Sequence, residues 1–260
     1  MEVVIVPTAG DAARVVAGVM AGVLATMPSP VLGLATGSSP IGAYNALIDE
    51  HRAGRVSFAH ASAVLLDEYV GLPADHHETY RAFIRRALTD QVDLPAARLF
   101  GPDVWADDLL AACVRYEHLL AELGGVDLQL LGIGSDGHIG FNEPSSSLGS
   151  RTRLKTLTEA TRQDNARFFP SLDDVPHHVV TQGLATILDA RHLLLVAAGP
   201  AKAAPIARAV EGPLTAMCPA SVLQLHPHAT VVVDDAAAAE LQLAGYYRSV
   251  FAGKPGWQPL

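Results

Sequence analysis

The chain has 260 residues, half of them hydrophobic, which is enough to bury a core and floor a pocket and excludes disorder for the chain as a whole. Eighteen Lys and Arg against 27 Asp and Glu leave a formal charge of −9, and with no basic stripe a general nucleic-acid binder is excluded, though an anionic small ligand held by local cations is not. Only two cysteines occur, Cys113 and Cys218, and neither sits in a CxxC pair, so a disulfide framework is excluded and zinc or thioredoxin-like chemistry has no support.

The opening residues, Met1-Glu2-Val3-Val4-Ile5-Val6-Pro7, carry no basic segment before a long apolar one, so no signal peptide is expected. No apolar run reaches membrane-spanning length without Gly, Pro or charge interrupting it. The expectation is a cytoplasmic protein with no membrane partner. In chain order, runs rich in Val, Ile and Leu at 3–6, 31–35, 62–66, 128–133, 192–197 and 229–233 read as buried strands. Ala-rich stretches with helical spacing at 11–24, 41–50, 79–88, 107–123, 201–210 and 236–243 read as helices. Continuously apolar strands alternating with helices imply a mainly parallel sheet covered on both faces, an α/β doubly wound, Rossmann-like domain spanning 1–260. The polar stretch 144–178 carries Arg151, Arg153, Lys155, Arg162 and Arg167, shows no clear strand, and is expected to form a lid. The tail after Phe251 is expected to fray.

Ligands of such sheets bind beyond the carboxyl ends of the strands, so the residues that follow each strand carry the chemistry. After the second strand, Thr36-Gly37-Ser38-Ser39-Pro40 offers a tight turn, two hydroxyls and a helix start, which together make an anion site or an ordinary capped turn. After the third, Asp67 and Glu68 are adjacent, and extended backbone points them to opposite sides. One is free to enter the crevice while the other caps a helix or faces solvent. After the fourth, Gly132, Gly134 and Gly137 satisfy GxGxxG, but His138-Ile139-Gly140-Phe141-Asn142-Glu143-Pro144 is poor helix, so a dinucleotide site is rejected. Asp136 and His138 are two apart, and a carboxylate beside an imidazole orients it for acid/base work, with Glu143 expected at the other ring nitrogen. Scattered histidines elsewhere do not define a metal site. After the fifth strand Lys202 falls in the first turn of a helix, where the dipole disfavours a cation, which suggests that its ammonium meets an anion.

Three blocks carry a family resemblance: Leu-Gly-Leu-Ala-Thr-Gly-Ser-Ser-Pro at 32–40, Leu-Asp-Glu-Tyr-Val-Gly-Leu-Pro at 66–73, and Gly-Ile-Gly-Ser-Asp-Gly-His-Ile-Gly-Phe-Asn-Glu-Pro at 132–144. With Ser-Arg-Thr-Arg-Leu-Lys-Thr-Leu-Thr at 150–158 and Leu-Gln-Leu-His-Pro at 223–227, they make nearly the whole chain resemble the glucosamine-6-phosphate deaminases. The resemblance implies conversion of glucosamine 6-phosphate and water to fructose 6-phosphate and ammonia, with no metal or organic cofactor. It implies Asp67 as the base moving a proton between C2 and C1, His138 as the ring-opening acid/base, and Asp136 and Glu143 as its orienting carboxylates. Thr36, Gly37, Ser38, Ser39, Arg167 and Lys202 are implied as the substrate and phosphate set. Ser146, Arg153 and Lys155 match the site where activated members bind N-acetylglucosamine 6-phosphate, although His192 and Arg248 stand where those members have an acidic residue and a tyrosine. Many relatives are hexamers and some are monomers, so a homo-oligomer is among the implied states. A 6-phosphogluconolactonase-type hydrolase would keep the Thr-Gly turn without needing both Asp67 and the Asp136/His138/Glu143 set. A non-catalytic sugar-phosphate sensor on the same fold is the remaining alternative.

Overall fold

Each of the six apolar runs forms a strand of one parallel sheet in the computed structural model, which describes residues 1–258 and 260. These are β1 (Glu2–Val6), β2 (Val31–Leu34), β3 (Ser62–Leu65), β6 (Leu128–Leu131), β9 (Leu193–Ala197) and β10 (Ala229–Asp234). A two-residue strand, β5 (Leu99–Phe100), closes one edge, and the order is β1-β10-β9-β6-β2-β3-β5. The central strands are buried along their whole length, as a sheet covered on both faces requires. Chain order runs outward in one direction through β2 and β3 and in the other through β6, β9 and β10. The strand order therefore reverses between β2 and β6, and a crevice opens there at the carboxyl ends. The expected doubly wound α/β architecture is the observed one.

The helices are α1 (Ala9–Thr26), α2 (Ile41–Arg52), α3 (Tyr80–Ala87), α4 (Leu109–Glu122), α5 (Glu159–Asn165), α6 (Leu184–Leu188), α7 (Ala203–Val210) and α8 (Ala244–Ala252). A capping box starts α1, with Thr8 accepting from Asp11 N and the Asp11 carboxylate from Thr8 N. By length and composition alone α1 passes for a membrane span, but Ala12, Val16, Ala17 and Met20 are buried in the core.

Three expectations are corrected. The polar stretch 144–178 does contain a strand: β7 (Arg153–Thr156) pairs antiparallel with β8 (His178–Thr181), which pairs with β4 (Asp67–Val70) in a separate three-stranded sheet. A strand that alternates Arg-Leu-Lys-Thr on a half-exposed sheet lacks the apolar run that reveals a buried one. The stretch 236–243 is a series of turns, and the helix begins at Ala244. Glu211 takes N–H groups that a continuous helix would bond internally, Gln242 N at 2.7 Å and Leu243 N at 2.8 Å, while Asp234 takes Ala237 N at 2.8 Å. The tail is tied down, with Lys254 Nζ 2.5 Å from Glu2 Oε2 and Leu260 packed against the core.

At the opposite end of the sheet from the crevice, His192 and His228, which immediately precede β9 and β10, stack with ring centroids 3.7 Å apart. His192 is buried, and its Nε2 lies 2.9 Å from Thr230 Oγ1. Burial, with the neighbouring His228, His226 and Lys254, pushes its pKa down to about 4. The folded chain thus holds His192 neutral while the unfolded chain protonates near pH 6.5. Its contribution to stability is complete above that pH and is lost as the pH falls toward 4. We expect acid unfolding followed by circular dichroism to weaken over that window by roughly 2–3 kcal/mol from this residue, and His192→Asn to flatten the slope.

Candidate active site

The crevice between β2 and β6 holds a cavity of about 340 Å³, walled by the segments that follow the strand ends and by residues of α3, α5 and the turn after α5. The turn after β2 supplies Thr36, Gly37, Ser38 and Ser39. Gly37 has φ +91°, a conformation that side-chain-bearing residues rarely adopt. The residue that starts α2 is Pro40, and no side chain caps the helix, so neither serine hydroxyl is used there. The turn therefore presents hydroxyls and a helix start toward the cavity.

β4 places Asp67 in the cavity wall and turns Glu68 away. Glu68 is buried, and its carboxylate accepts from Tyr69 N at 2.9 Å, Tyr80 N at 2.8 Å and Arg81 N at 2.9 Å, which seats the start of α3. Asp67 has no hydrogen-bonded protein donor among the described residues. Burial, and secondarily the charge of Glu68, raise its pKa well above the ordinary carboxylate range.

The segment after β6 folds into a tight turn, with Gly134 N donating to His138 O at 2.9 Å and Gly137 N to Gly134 O at 3.1 Å. No helix follows the glycines, whereas a dinucleotide site would need one to open there. Asp136 Oδ1 accepts from His138 N at 3.0 Å and lies 2.7 Å from His138 Nδ1, although no acceptor stands in line with the Nδ1 hydrogen. Burial alone would raise the Asp136 carboxyl, but the His138 ring and N–H outweigh it and hold the pKa below the usual range. His138 lines the cavity and Asp136 stands behind it.

Glu143 departs from its expected place at the second ring nitrogen. Its Oε1 accepts from Thr158 Oγ1 at 2.9 Å and from Thr161 Oγ1, and it lies beyond 4.0 Å from either nitrogen of His138. Thr158 caps α5, and the hydroxyls and amides of that helix start draw the carboxylate to them.

Two cations complete the cavity. Arg167 comes from a short helical turn, Ala166–Phe168, that follows α5. Lys202 ends the turn Pro200–Lys202 that leads into α7, and its Nζ donates to Ile133 O at 2.6 Å. Burial, and the nearby Arg167, lower the Lys202 pKa against the opposing charges of Asp164 and Asp136. Reading strand ends alone missed the apolar wall. Tyr69 and Tyr80 have ring centroids 4.7 Å apart, Tyr80 stacks on Phe141 at 5.9 Å, and Phe169 meets Tyr69 edge-on at 5.8 Å. Tyr69 directly follows the acidic pair, which is a sequence signal for it, whereas Tyr80 comes from the start of α3.

Ser146, Arg153 and Lys155 lie outside this cavity. Arg153 and Lys155 share one side of β7, and Arg153 Nη1 donates to Asn142 Oδ1 at 2.9 Å. Ser146 Oγ is buried without a hydrogen-bond partner among the described residues.

Residues 7–233 match the model of the glucosamine-6-phosphate isomerases/6-phosphogluconolactonase family. The chain belongs to this family. It is 58% identical to a glucosamine-6-phosphate deaminase of Streptomyces avermitilis over 99% of each chain, and 54% identical to one of Mycolicibacterium smegmatis over 99% of each. The solved structure of a monomeric glucosamine-6-phosphate deaminase superposes with a TM-score of 0.90 at 43% identity, covering 92% of this chain and 100% of that one. A 6-phosphogluconolactonase from Trypanosoma brucei, at 21% identity and a TM-score of 0.72, shares the fold. The two cations and the Thr36–Ser39 turn line the same cavity. We expect Lys202→Ala to weaken binding of inorganic phosphate, measured by calorimetry, about tenfold or more, as loss of a charge-assisted contact predicts.

Proposed function

We propose that the chain is a glucosamine-6-phosphate deaminase, which converts glucosamine 6-phosphate and water to fructose 6-phosphate and ammonia and so cleaves a C–N bond. The observation that carries the reading is the pairing of two acid/base centres with an anion anchor in one cavity: Asp67 on one wall, His138 backed by Asp136 on another, and Thr36–Ser39 with Arg167 and Lys202 at the phosphate end. His138 takes the proton from O1 and returns one to the ring oxygen, opening the pyranose. Asp67 then removes the C2 proton and delivers one to C1 through an enolamine. The C2 imine that results is hydrated and releases ammonia. A base that must take a proton at one carbon and yield it at the next benefits from a raised pKa, and burial raises that of Asp67. The phosphate anchor holds the unreacting end and supplies the binding energy that orients C1 and C2. Glu143 belongs in this reading as the residue that ties the start of the 144–178 lid to α5, rather than as a partner of the imidazole.

The set Ser146, Arg153 and Lys155 is proposed as a second phosphate site, for an activator such as N-acetylglucosamine 6-phosphate. Its support is the shared side of β7 and the unpartnered Ser146 hydroxyl. We place the reaction in the cytoplasm, where amino-sugar phosphates are catabolised.

The test is to incubate the purified protein with glucosamine 6-phosphate and EDTA and to assay both products. Ammonia and fructose 6-phosphate in equal amounts are expected, and neither product would overturn the reading in favour of a sensor or a lactonase. Asp67→Asn keeps the shape and removes the base, so turnover is expected to fall about 10²–10⁴-fold with substrate binding little changed. Turnover near the original rate in that variant would remove Asp67 from the mechanism.

A further inference from the structure

We infer that Arg208 and Cys218, neither of which lines the cavity, form a clamp that sets where Asp136 and His138 stand and so act as positioning residues for the reaction proposed above, on which this inference rests. Three contacts reach the 134–138 turn from outside it. Arg208 Nη2, on α7, donates to Ser135 O at 2.9 Å. Ala220 N donates to Gly137 O at 2.9 Å. Cys218 Sγ packs under Gly137 so closely that a Cβ there would meet the sulfur at 2.7 Å. The Ser135 carbonyl belongs to the peptide that enters Asp136, and the Gly137 carbonyl to the peptide that enters His138. The clamp therefore fixes the orientation of both peptides that aim the carboxylate and the imidazole.

The turn has little freedom to absorb an error on its inner side. A Cβ on Gly134 would meet His138 Cε1 at 2.2 Å, so the ring already rests on the Gly134 backbone. Gly137 has φ +92°, which ties its position to the absence of a side chain. The same strand of chain that holds Gly137 also holds the start of the lid, since Ala216 O accepts from Ser145 N at 2.9 Å. Cys218 is buried, and burial raises its thiol pKa, so the sulfur serves as a neutral packing group. Arg208 is exposed, and its recorded bond among the described residues is to the Ser135 carbonyl. Arg208 rides on the helix that Lys202 leads into, so α7 holds the phosphate anchor and the catalytic turn in a fixed relation.

Displacing acid/base groups by about 1 Å costs on the order of 10²-fold in rate. Slack in one arm of a clamp is a smaller displacement, so Arg208→Ala and Cys218→Ala are each expected to lower kcat about tenfold. KM for glucosamine 6-phosphate, and the Kd of the open-chain 2-amino-2-deoxyglucitol 6-phosphate, are expected to stay within about twofold, because the phosphate end and Asp67 are untouched. Arg208→Lys and Cys218→Ser, which keep a cation and the size of the thiol, are expected to recover most of the rate. The Cε1–H resonance of His138 is the readout that a purely structural role would not move selectively: it is expected to shift in both alanine variants and to return in the conservative ones. An unchanged resonance in folded alanine variants would overturn the clamp. Wild-type protein that released no ammonia would overturn the reading of the activity, while the His138 resonance would still decide the clamp.

Discussion

The pleat of β4 sets the terms for the rest of the site. Adjacent carboxylates on one strand must point to opposite sides, and this chain gives them unlike surroundings. Glu68 receives three backbone N–H groups, two of them from the start of α3. Burial still pushes its pKa up, and the three N–H bonds offset part of that. Asp67 receives no such donors and carries the charge of its neighbour in addition to its own burial. The same two-residue step that anchors a helix therefore leaves an unsatisfied carboxyl in a cavity wall. An unpaired buried carboxyl is a cost to folding, and costs of this kind persist where function uses them.

The legible parts of the fold were those whose pattern belongs to one element. Buried strands such as β2 and β9 are apolar at every position, and a strand of that sort declares itself without reference to its neighbours. The three-stranded sheet was hidden for the complementary reason. β7 is half-exposed and reads Arg-Leu-Lys-Thr, and its existence depends on β8, which lies more than twenty residues further along. The turns at 236–243 were misread because Ala-rich spacing favours a helix locally, while Asp234 and Glu211 reach in from β10 and the end of α7 to take the amides. Local propensity decided the expectation and distant carboxylates decided the structure.

The site was more legible than the 144–178 segment, because strand ends converge wherever the sheet order reverses. Knowing that rule, one collects Thr36–Ser39, Asp67, His138 and Lys202 from the chain without knowing any distance. Arg167 and Glu143 depend instead on how α5 and its flanking turns come back over the crevice. The role of Arg167 came from the resemblance alone, and Glu143 was placed by its closeness in sequence to His138, a route whose weakness it shows. A carboxylate near a helix start with two threonine hydroxyls will satisfy itself there, whatever imidazole the sequence places five residues before it.

The electrostatics of the cavity run against those of the chain. A net charge of −9 repels a sugar phosphate at long range, and salt screens that repulsion beyond about 8–10 Å. Inside the crevice the balance is local. Lys202 is half-buried, donates to the Ile133 carbonyl and stands near Arg167, and burial lowers its pKa although the carboxylates of Asp164 and Asp136 oppose that shift. In the proposed reaction a dianionic phosphate adds negative charge that offsets the burial of Lys202 and fixes one end of the substrate. Asp67 has a pKa that burial has raised, so in the proposed reaction the carbons meet a carboxylate basic enough to take a proton and able to return it. The cavity thus joins two cations, Arg167 and Lys202, to a carboxyl whose charge burial suppresses, Asp67, and the surroundings of each side chain rather than the net charge of the chain set this pattern.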